Sequence, residues 1–418
     1  FGDMHTSITK AFKRFHLFGF TGTPIFSANA NGGGNPQFRT TAQAFGDKLH
    51  TYTIIDAITD KNVLPFRIDY VNTVKTPELI ADKKVSGIDK EKALLAVERL
   101  RQVTAYVLEH FDQKTKRASH YSLAGKRVNG FNALFATASI EAAKRYYNQF
   151  FIQQEGIADN KRLKVGLIYS YAANEADGTD LLDDEEFETE ALDKDARSFL
   201  EDAIQDYNDM FGTSFDTSSD KFQNYYKDLS LRLKRREIDL VIVVNMFLTG
   251  FDATTLNTLW VDKNLRAHGL IQAFSRTNRI LNSVKAFGNI VSFRNLEQET
   301  NDAIALFSNK DARGIVLLKP YAEYFEEYTD RVTDLLSQFP LGQSILGETS
   351  QKEFVILFGS ILRLRNILLS FDDFVGSEIL VPRQLQDYQS VYLNIYQEFR
   401  AKNDGDKEAI NDDVVFEI

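Results

Sequence analysis

Residues 238–252 read IDLVIVVNMFLTGFD, and this stretch decides the fold class. Four successive apolar residues, 241–244, are typical of a parallel strand that is buried on both faces of a sheet. A turn follows, in which Gly250 can take backbone angles that other residues avoid and Asp252 comes just after it. Taken alone, the turn is also explained as a glycine turn before an aspartate that caps the next helix.

Strand-like and helix-like patterns alternate on both sides of this stretch. The candidate strands are 66–71, 131–137, 163–169, 238–244, 258–261 and 289–293, and the candidate helices are 6–14, 90–112, 139–153, 196–210, 219–235 and 269–280. This alternation predicts an α/β fold with a parallel sheet covered by helices. Residues 15–20 predict a further buried strand, and residues 40–64 a helix, an edge strand and a short helix. After about residue 300, only helical spacing of apolar residues continues, which predicts an all-helical C-terminal region.

Composition narrows the possible functions. The chain has 418 residues, which suits two or three domains, and its net charge of −10 argues against nonspecific coating of a polyanion. Cysteine is absent, which excludes disulfides and thiolate zinc sites, and the histidines show no metal-binding spacing. The sequence shows no membrane span and no secretory signal, so a cytoplasmic location is expected. The acidic stretch 175–195 is predicted to be a solvated insertion or, alternatively, a partner-binding strip.

Three polar segments follow predicted strands, at the carboxyl ends where open α/β sheets bind ligands. They are 21–24, 245–252 and the run from Gln272 through Arg276 to Arg279. Spacings of four and three would place these last side chains on one face of the predicted helix 269–280. Arginine forks suit phosphate oxygens, so this face is expected to grip a triphosphate, with a solvated basic face as the alternative. An arginine aimed at a transferring phosphoryl group would act as an arginine finger.

The order and spacing of these segments resemble the later motifs of superfamily 2 helicases and translocases. Thr21, Gly22 and Thr23 stand where motif III stands, and Phe135-Ala136-Thr137, with the helix from Ser139, is similar to motif IV. Thr249-Gly250-Phe251-Asp252 resembles motif V, and Gln272, Arg276 and Arg279 resemble the QxxxRxxR core of motif VI. Three sequence segments look most like the motor (R) subunit of type I restriction enzymes: GFTGTPIF (19–26), LTGFDA (248–253) and GLIQAFSRTNRI (269–280).

The resemblance implies a RecA-like fold and a division into three parts. Residues 1–62 would be the C-terminal part of helicase domain 1, residues 63–300 helicase domain 2, and residues 301–418 a helical domain. The sequence contains no GxxxxGK[ST] phosphate loop, and no DEAD or DExH box precedes motif III. The chain is therefore expected to be a C-terminal fragment that begins just after the acidic box, without the family's nuclease domain, and to be inactive as an ATPase alone.

The resemblance also implies site roles, cofactors and partners. The residues expected to act in catalysis are Gln272, Arg276 and Arg279; those expected to bind or couple the nucleotide are Thr21, Gly22, Thr23, Gly250 and Asp252; and those expected to contact DNA are Ala136, Thr137, Ser139 and Thr249. The intact enzyme would use ATP and Mg²⁺, which the fragment alone would not bind. Its partners would be double-stranded DNA and the methyltransferase (M) and specificity (S) subunits. The alternatives are another superfamily 2 motor and a noncatalytic RecA-like assembly module.

Overall fold

The structure is a computed structural model that describes residues 3–21, 24–26, 40–50, 52–71, 73, 93–170, 194–282, 284–307, 316–374 and 376–402. The chain divides into two compact units. The first comprises Phe1–Ala118, Val128–Arg279 and Gly288–Leu317. The second comprises Ser119–Arg127, Ile280–Phe287 and Leu318–Ile418.

Helices and strands alternate through the first unit, and helices dominate the second. The helices are α1 (Asp3–Ala11), α2 (Thr41–Phe45), α3 (Ile54–Thr59), α4 (Val97–Lys114), α5 (Ile140–Gln153), α6 (Lys194–Phe211), α7 (Ser219–Lys234), α8 (Ala267–Phe274), α9 (Glu297–Phe307), α10 (Tyr321–Gln338), α11 (Glu348–Leu368) and α12 (Pro382–Lys402), with a 3₁₀ turn at Asp372–Phe374. The strands are β1 (Phe66–Tyr70), β2 (His120–Leu123), β3 (Lys126–Asn129), β4 (Asn132–Thr137), β5 (Val165–Ile168), β6 (Leu240–Val243), β7 (Leu256–Asp262) and β8 (Gly288–Ser292).

A six-stranded parallel sheet forms the core of the first unit, in the order β1-β8-β7-β4-β6-β5. Strands β4, β6, β7 and β8 are buried at every position, as expected where helices cover both faces of a parallel sheet. The predicted α/β fold with a parallel sheet is confirmed, and so is the central strand in the run 241–244.

The parallel register gives the sheet two distinct edges. At one edge the strands end: Ala136 of β4 lies opposite Val243 of β6, and Thr137 lies opposite Asp262 of β7. We call this the carboxyl edge. At the other, the amino edge, the strands begin, and Phe66 of β1 pairs with Gly288 of β8. The two edges are the places where loops between strands and helices converge.

The predicted strand over residues 15–20 is wrong. These residues form irregular chain with exposed side chains, and Phe20 is 97% exposed. No strand pairs with them in the part of the chain that the structure describes, so their backbone groups gain nothing from an extended ladder. The edge strand predicted within 40–64 is likewise not found among its described residues, which form α2 and α3 with loops between and after them.

The hairpin β2–β3 was not predicted, although its turn carries a signal. Ala124 and Gly125 form its two-residue turn, with φ of 49° and 77°. Two successive positive φ angles match the turn that suits the twist of a two-residue hairpin, and glycine favours the second position. The hairpin as far as Arg127 falls in the second unit together with the helices, and Val128 and Asn129 fall in the first.

The described core of the second unit is built by α10, α11 and α12, with the 3₁₀ turn beside them. Aromatic residues supply much of this core: Tyr328, Phe354, Phe358, Phe374, Tyr388 and Tyr392 are all buried. The predicted helical C-terminal region is therefore confirmed for its described residues, and the aromatic residues named above belong to its core. Although α11 and α12 each have 21 residues, none of the described helices is long and apolar enough to cross a bilayer.

Candidate functional site

The motif VI segment does not form one helical face. Helix α8 ends at Phe274, where a continuous helix to residue 280 was predicted. The hydroxyl of Thr277 donates to the carbonyl of Phe274 at 2.8 Å, so a local side-chain bond uses a carbonyl of the final turn. Gln272 is thus on the helix, while Arg276 lies in the turn that follows and Arg279 in irregular chain.

Arg276 nevertheless joins motif VI to motif V. Its Nε donates to the backbone carbonyl of Gln272 at 3.0 Å, and its Nη1 donates to the carbonyl of Phe251. The side chain is half-buried, so these charge-assisted bonds are partly shielded from water. Arg276 therefore fixes the turn after α8 against the loop that carries Gly250 and Asp252.

Arg279 makes the second link between the two motifs. Its Nε lies 3.1 Å from Oδ1 of Asp252, with the side chains 46% and 58% exposed. Exposed ion pairs of this kind contribute about 0–1 kcal/mol to stability. The ion pair therefore holds Arg279 near Asp252 only weakly. Because the Arg279 side chain is exposed, an anion can approach its guanidinium.

The meeting point of the two motifs lies at the amino edge, which corrects the expectation of the carboxyl edge. The carbonyl of Asn278 accepts a hydrogen bond from the backbone N–H of Leu64, two residues before β1 begins, at 2.8 Å. The ring of Phe274 lies 6.0 Å from that of Phe66, the first residue of β1. The reason is topological: α8 starts from the carboxyl edge after β7 and returns the chain to the amino edge for β8.

Residues 244–255 connect the two edges without a helix. They leave β6 at the carboxyl edge, where Lys263 Nζ donates to Asn245 Oδ1 at 2.7 Å. They reach β7 at the amino edge after passing Phe251 and Asp252. Along the way Gly250 has φ of 67°, the left-handed conformation that its sequence position led us to expect. We call residues 244–255 the crossing loop.

The motif IV residues lie at the carboxyl edge, and two of their side chains are inaccessible. Ala136 and Thr137 are fully buried, and the Thr137 hydroxyl donates to the carbonyl of Val243 at 3.1 Å. The expected contact of this hydroxyl with DNA is therefore not available to it as folded. Ser139 is half-buried and caps α5 by accepting from the Ala142 N–H at 3.2 Å. Contact of Ser139 and Thr249 with DNA stays a prediction.

Motif III is only partly within the described structure. Gly22 and Thr23 lie outside the described residues, whereas Thr21 is exposed. Just beyond, Ile25 and Thr41 exchange hydrogen bonds: the N–H of Ile25 donates to the Thr41 hydroxyl at 2.8 Å, and the N–H of Thr41 donates to the carbonyl of Ile25 at 2.9 Å. The assignment of Thr21, Gly22 and Thr23 to nucleotide coupling stays a prediction.

A buried charge network at the carboxyl edge was missed by sequence reasoning. Arg99 grips both carboxylate oxygens of Asp262 at 2.9 and 2.7 Å, while Arg294 and Tyr146 each donate to the same carboxylate at 2.6 Å. Burial alone would raise the pKa of Asp262, but the hydrogen bonds and charges of the two arginines outweigh it and hold the pKa below its ordinary value. No sequence signal joins these residues, because they come from α4, α5 and the ends of β7 and β8.

Three family profiles match successive parts of the chain. Residues 129–295 match type I restriction enzyme subunit R domain 3, and residues 316–418 match the C-terminal domain of type I restriction and modification enzyme subunit R. Residues 1–101 match the SWI2/SNF2 ATPase profile. The chain belongs to the type I restriction enzyme R subunit family.

Curated relatives of this family align with the whole chain. A type I restriction enzyme endonuclease subunit of Staphylococcus aureus (strain COL) is 37% identical over 429 residues, covering 100% of this chain and 43% of the relative. A subunit of Staphylococcus saprophyticus is 38% identical with the same coverage. The HindI endonuclease subunit of Haemophilus influenzae is 25% identical over 71% of this chain and 25% of its own length. The chain thus spans less than half the length of these relatives.

One solved structure is also similar, an ATP-dependent Type ISP restriction-modification enzyme, LlaBIII, bound to DNA. It aligns with 91% of this chain and 25% of its own, at 12% identity and a TM-score of 0.34.

Proposed function

We propose that this chain is part of the motor of a type I restriction endonuclease subunit, which moves on double-stranded DNA by hydrolysing ATP and thereby leads to DNA cleavage. The observation that carries the proposal is the junction of motif V with motif VI through Arg276 and Arg279. The staphylococcal relatives, which are named as type I restriction enzyme endonuclease subunits, support the same proposal.

Arg279 is proposed as the finger that acts on the γ-phosphate. It is exposed, and its bond to Asp252 is weak enough to be exchanged for a phosphate oxygen. A guanidinium placed against the transferring phosphoryl group stabilises the charge that develops there, which is worth about 10³–10⁵ in rate. Asp252 would hold Arg279 in position between turnovers and accept it back after phosphate leaves.

Arg276 is proposed to have a different role from Arg279. It is half-buried and already bonded to two backbone carbonyls, those of Gln272 and Phe251. Breaking these bonds to reach a phosphate would leave the carbonyls without their donor, which costs more than releasing an exposed pair. Arg276 therefore sets the position of motif V relative to motif VI, and Gly250 allows the loop to turn between them.

Of the proposed DNA contacts, those at Ser139 and at the end of β4 lie at the opposite, carboxyl edge of the sheet, whereas Thr249 belongs to the crossing loop. Ser139 and Thr249 are half-buried, and the backbone at the end of β4 would contribute main-chain donors. Contacts of this kind go to phosphates and carry no sequence information, which suits a motor that moves on any sequence. Recognition of the DNA sequence would then belong to the partner M and S subunits. The complex would act in the cytoplasm.

Mg²⁺ coordination is not assigned to these residues. In the described part of the chain, no group of three or more histidine, aspartate or glutamate side chains is arranged to hold a metal ion. The carboxylate of Asp252 is paired with Arg279. In the proposed function, the arginines and the crossing loop of this chain act on the phosphates of metal-bound ATP.

The decisive experiment replaces Arg279 by alanine in the full-length subunit, assembled with its M and S partners. Loss of the finger is expected to lower DNA-stimulated ATP hydrolysis by about 10³-fold or more, since the transition-state charge loses its partner. ATP binding, measured with a fluorescent nucleotide, is expected to change little. Hydrolysis that survives within about tenfold of wild type would contradict a finger role.

Arg101 provides a matched control for this variant. It too forms an exposed ion pair, with Glu98 at 2.7 Å and side chains 54% and 62% exposed, but it lies on α4. Arg101→Ala therefore removes a comparable surface pair outside the proposed site. It is expected to leave hydrolysis, translocation and DNA cleavage at wild-type rates.

A further inference from the structure

The crossing loop places a bulky residue at a turn position that usually holds glycine or asparagine. The N–H of Leu248 donates to the carbonyl of Asn245 at 3.1 Å, which makes Phe247 the third residue of a hydrogen-bonded turn. Six described residues other than glycine have positive φ: Lys61, Lys116, Ala124, Arg236, Phe247 and Ala267. Lys61, Lys116 and Arg236 each come one residue after a helix cap, where a left-handed residue commonly ends a helix, and Ala124 lies in the β2–β3 turn. The remaining two, Phe247 and Ala267, lie in the crossing loop and at the start of α8.

Phe247 is the more costly of these two positions. Its φ is 66°, in a region that bulky side chains rarely adopt because it strains the backbone. Such a conformation persists only when surrounding contacts impose it. The turn hydrogen bond is one such contact, and because Phe247 is fully buried, the packing of its ring supplies others.

Those contacts form an aromatic clamp, which we define as Tyr226, Phe247 and Phe251. The ring of Tyr226, on α7, stacks on Phe247 with centroids 4.9 Å apart and planes 20° from parallel. Phe247 in turn packs on Phe251 at 4.5 Å. Lys234, at the end of the same helix, places its ammonium 5.6 Å from the Phe251 ring, within range of a cation–π attraction. Helix α7 thus holds the crossing loop at two points.

The clamp ends on the atom that Arg276 binds. The carbonyl that accepts from Arg276 Nη1 belongs to Phe251, and the next residue, Asp252, pairs with Arg279. A shift of the Phe251 ring therefore moves both partners of the two arginines together. Small shifts of this kind affect catalysis, since a misplacement of a catalytic group by about 1 Å can lower the rate up to 10²-fold.

We propose that Tyr226 and Phe247 are positioning residues for the arginines of motif VI. Tyr226 holds Phe247 in its left-handed conformation, and this conformation sets the Phe251 carbonyl and the Asp252 carboxylate at the amino edge. The inference rests on the proposed function, because the rate that it affects is that of ATP hydrolysis. It adds to that function a part of the molecule, helix α7, that none of the four helicase-type motifs includes.

The test measures DNA-stimulated ATP hydrolysis by the full-length subunit with its partners, for Tyr226→Ala and Tyr226→Phe. Loss of the ring is expected to lower kcat by about tenfold or more, with the KM for ATP within about twofold of wild type. Tyr226→Phe keeps the stacked ring and is expected to restore at least half of the wild-type kcat. Tyr226→Leu keeps apolar volume without a stacking ring, and it is expected to behave like the alanine variant.

Tyr147→Ala is the control for a merely structural loss. Tyr147 joins α5 to α6 through its ring contact with Phe199 at 6.0 Å and its hydroxyl bond to Asp206 at 2.9 Å. It is half-buried like Tyr226, and its removal is expected to lower the thermal midpoint without changing kcat. If Tyr226→Ala and Tyr226→Leu lower kcat no more than Tyr147→Ala does, or if Tyr226→Phe fails as badly as they do, the positioning role is refuted.

Arg279→Ala, measured in the same series, separates this inference from the proposed function. If Arg279→Ala abolishes hydrolysis while the Tyr226 variants retain it, only the clamp is disproved. If Arg279→Ala itself retains hydrolysis, the proposed finger role of Arg279 fails, whatever the Tyr226 variants do.

Discussion

At the scale of single residues, Asp262 illustrates how charge is held inside this fold. It is buried between Arg99 and Arg294, and together they place two positive charges against one negative charge. Removing one member of a buried ion network leaves the others without compensation, which typically costs about 3–5 kcal/mol. Asp262 is thus far more important to stability than Asp252, whose partner is exposed.

Asp262→Asn tests this difference. We expect it to lower the free energy of unfolding by about 3 kcal/mol at pH 7, because the two guanidinium groups lose their counter-charge. The folded-state pKa of Asp262 lies below its ordinary value of 3.8, so the carboxylate's contribution is full above that value. It is lost as the pH falls through the lowered pKa, and the gap between wild type and variant should close there.

Urea unfolding at a series of pH values measures both effects. Glu98→Gln is a suitable control, because Glu98 is an exposed carboxylate paired with Arg101 on the surface of α4. It should leave the unfolding midpoint near neutral pH almost unchanged. A wild-type margin over Asp262→Asn that widened on acidification would contradict the assigned sign.

At the scale of elements, the sequence predicted the regular parts well and the site geometry less well. Strands such as β6 and helices such as α5 could be predicted, because their hydrophobic pattern depends on neighbours along the chain. The end of α8 at Phe274 could not, because it depends on one hydroxyl bond from Thr277. The strand expected at 15–20 is absent for a different reason, which is not local. An apolar run forms a strand only beside another strand, and the sequence does not show which segments will be neighbours.

The turn after α8 also packs against Gly288, the first residue of β8, which allows a test by substitution. A Cβ there would clash with the Thr277 hydroxyl and lie 3.1 Å from Phe66 Cδ1 and from the Thr277 backbone carbon. Gly288→Ala must therefore push the turn that carries Arg276 away from the sheet. We expect a loss of stability of about 1–3 kcal/mol, typical of overpacking, with a fall in ATP hydrolysis by the intact subunit.

Gly166→Ala in β5 is the matched control for crowding within the same sheet. Its Cβ would meet Ile238 Cδ1 at 2.9 Å and Leu229 Cδ1 at 3.2 Å, which are ends of flexible side chains that can move. Thermal unfolding of both variants should show the larger loss for Gly288→Ala. Only Gly288→Ala should also reduce hydrolysis, and an equal reduction in both would remove the link to the Arg276 turn.

At the scale of the whole molecule, the chain covers 43% of its staphylococcal relatives. The proposed action of Arg276 and Arg279 on a phosphoryl group requires other residues to bind and present that group. We therefore expect the purified 418-residue chain to hydrolyse ATP no faster than a buffer control. Robust, Mg²⁺-dependent turnover by this chain alone would show that the phosphate-binding residues lie within it. Addition of double-stranded DNA should not change that result.

The crossing loop has a consequence for how such proteins can vary. A connection between parallel strands usually needs a dozen or more residues, most often with a helix. Residues 244–255 make the passage in twelve positions without one, so the chain has little spare length. Inserting or deleting one residue there would carry Asp252 away from Arg279 even if every side chain were kept. In this part of the molecule the number of residues is under as much constraint as their identity.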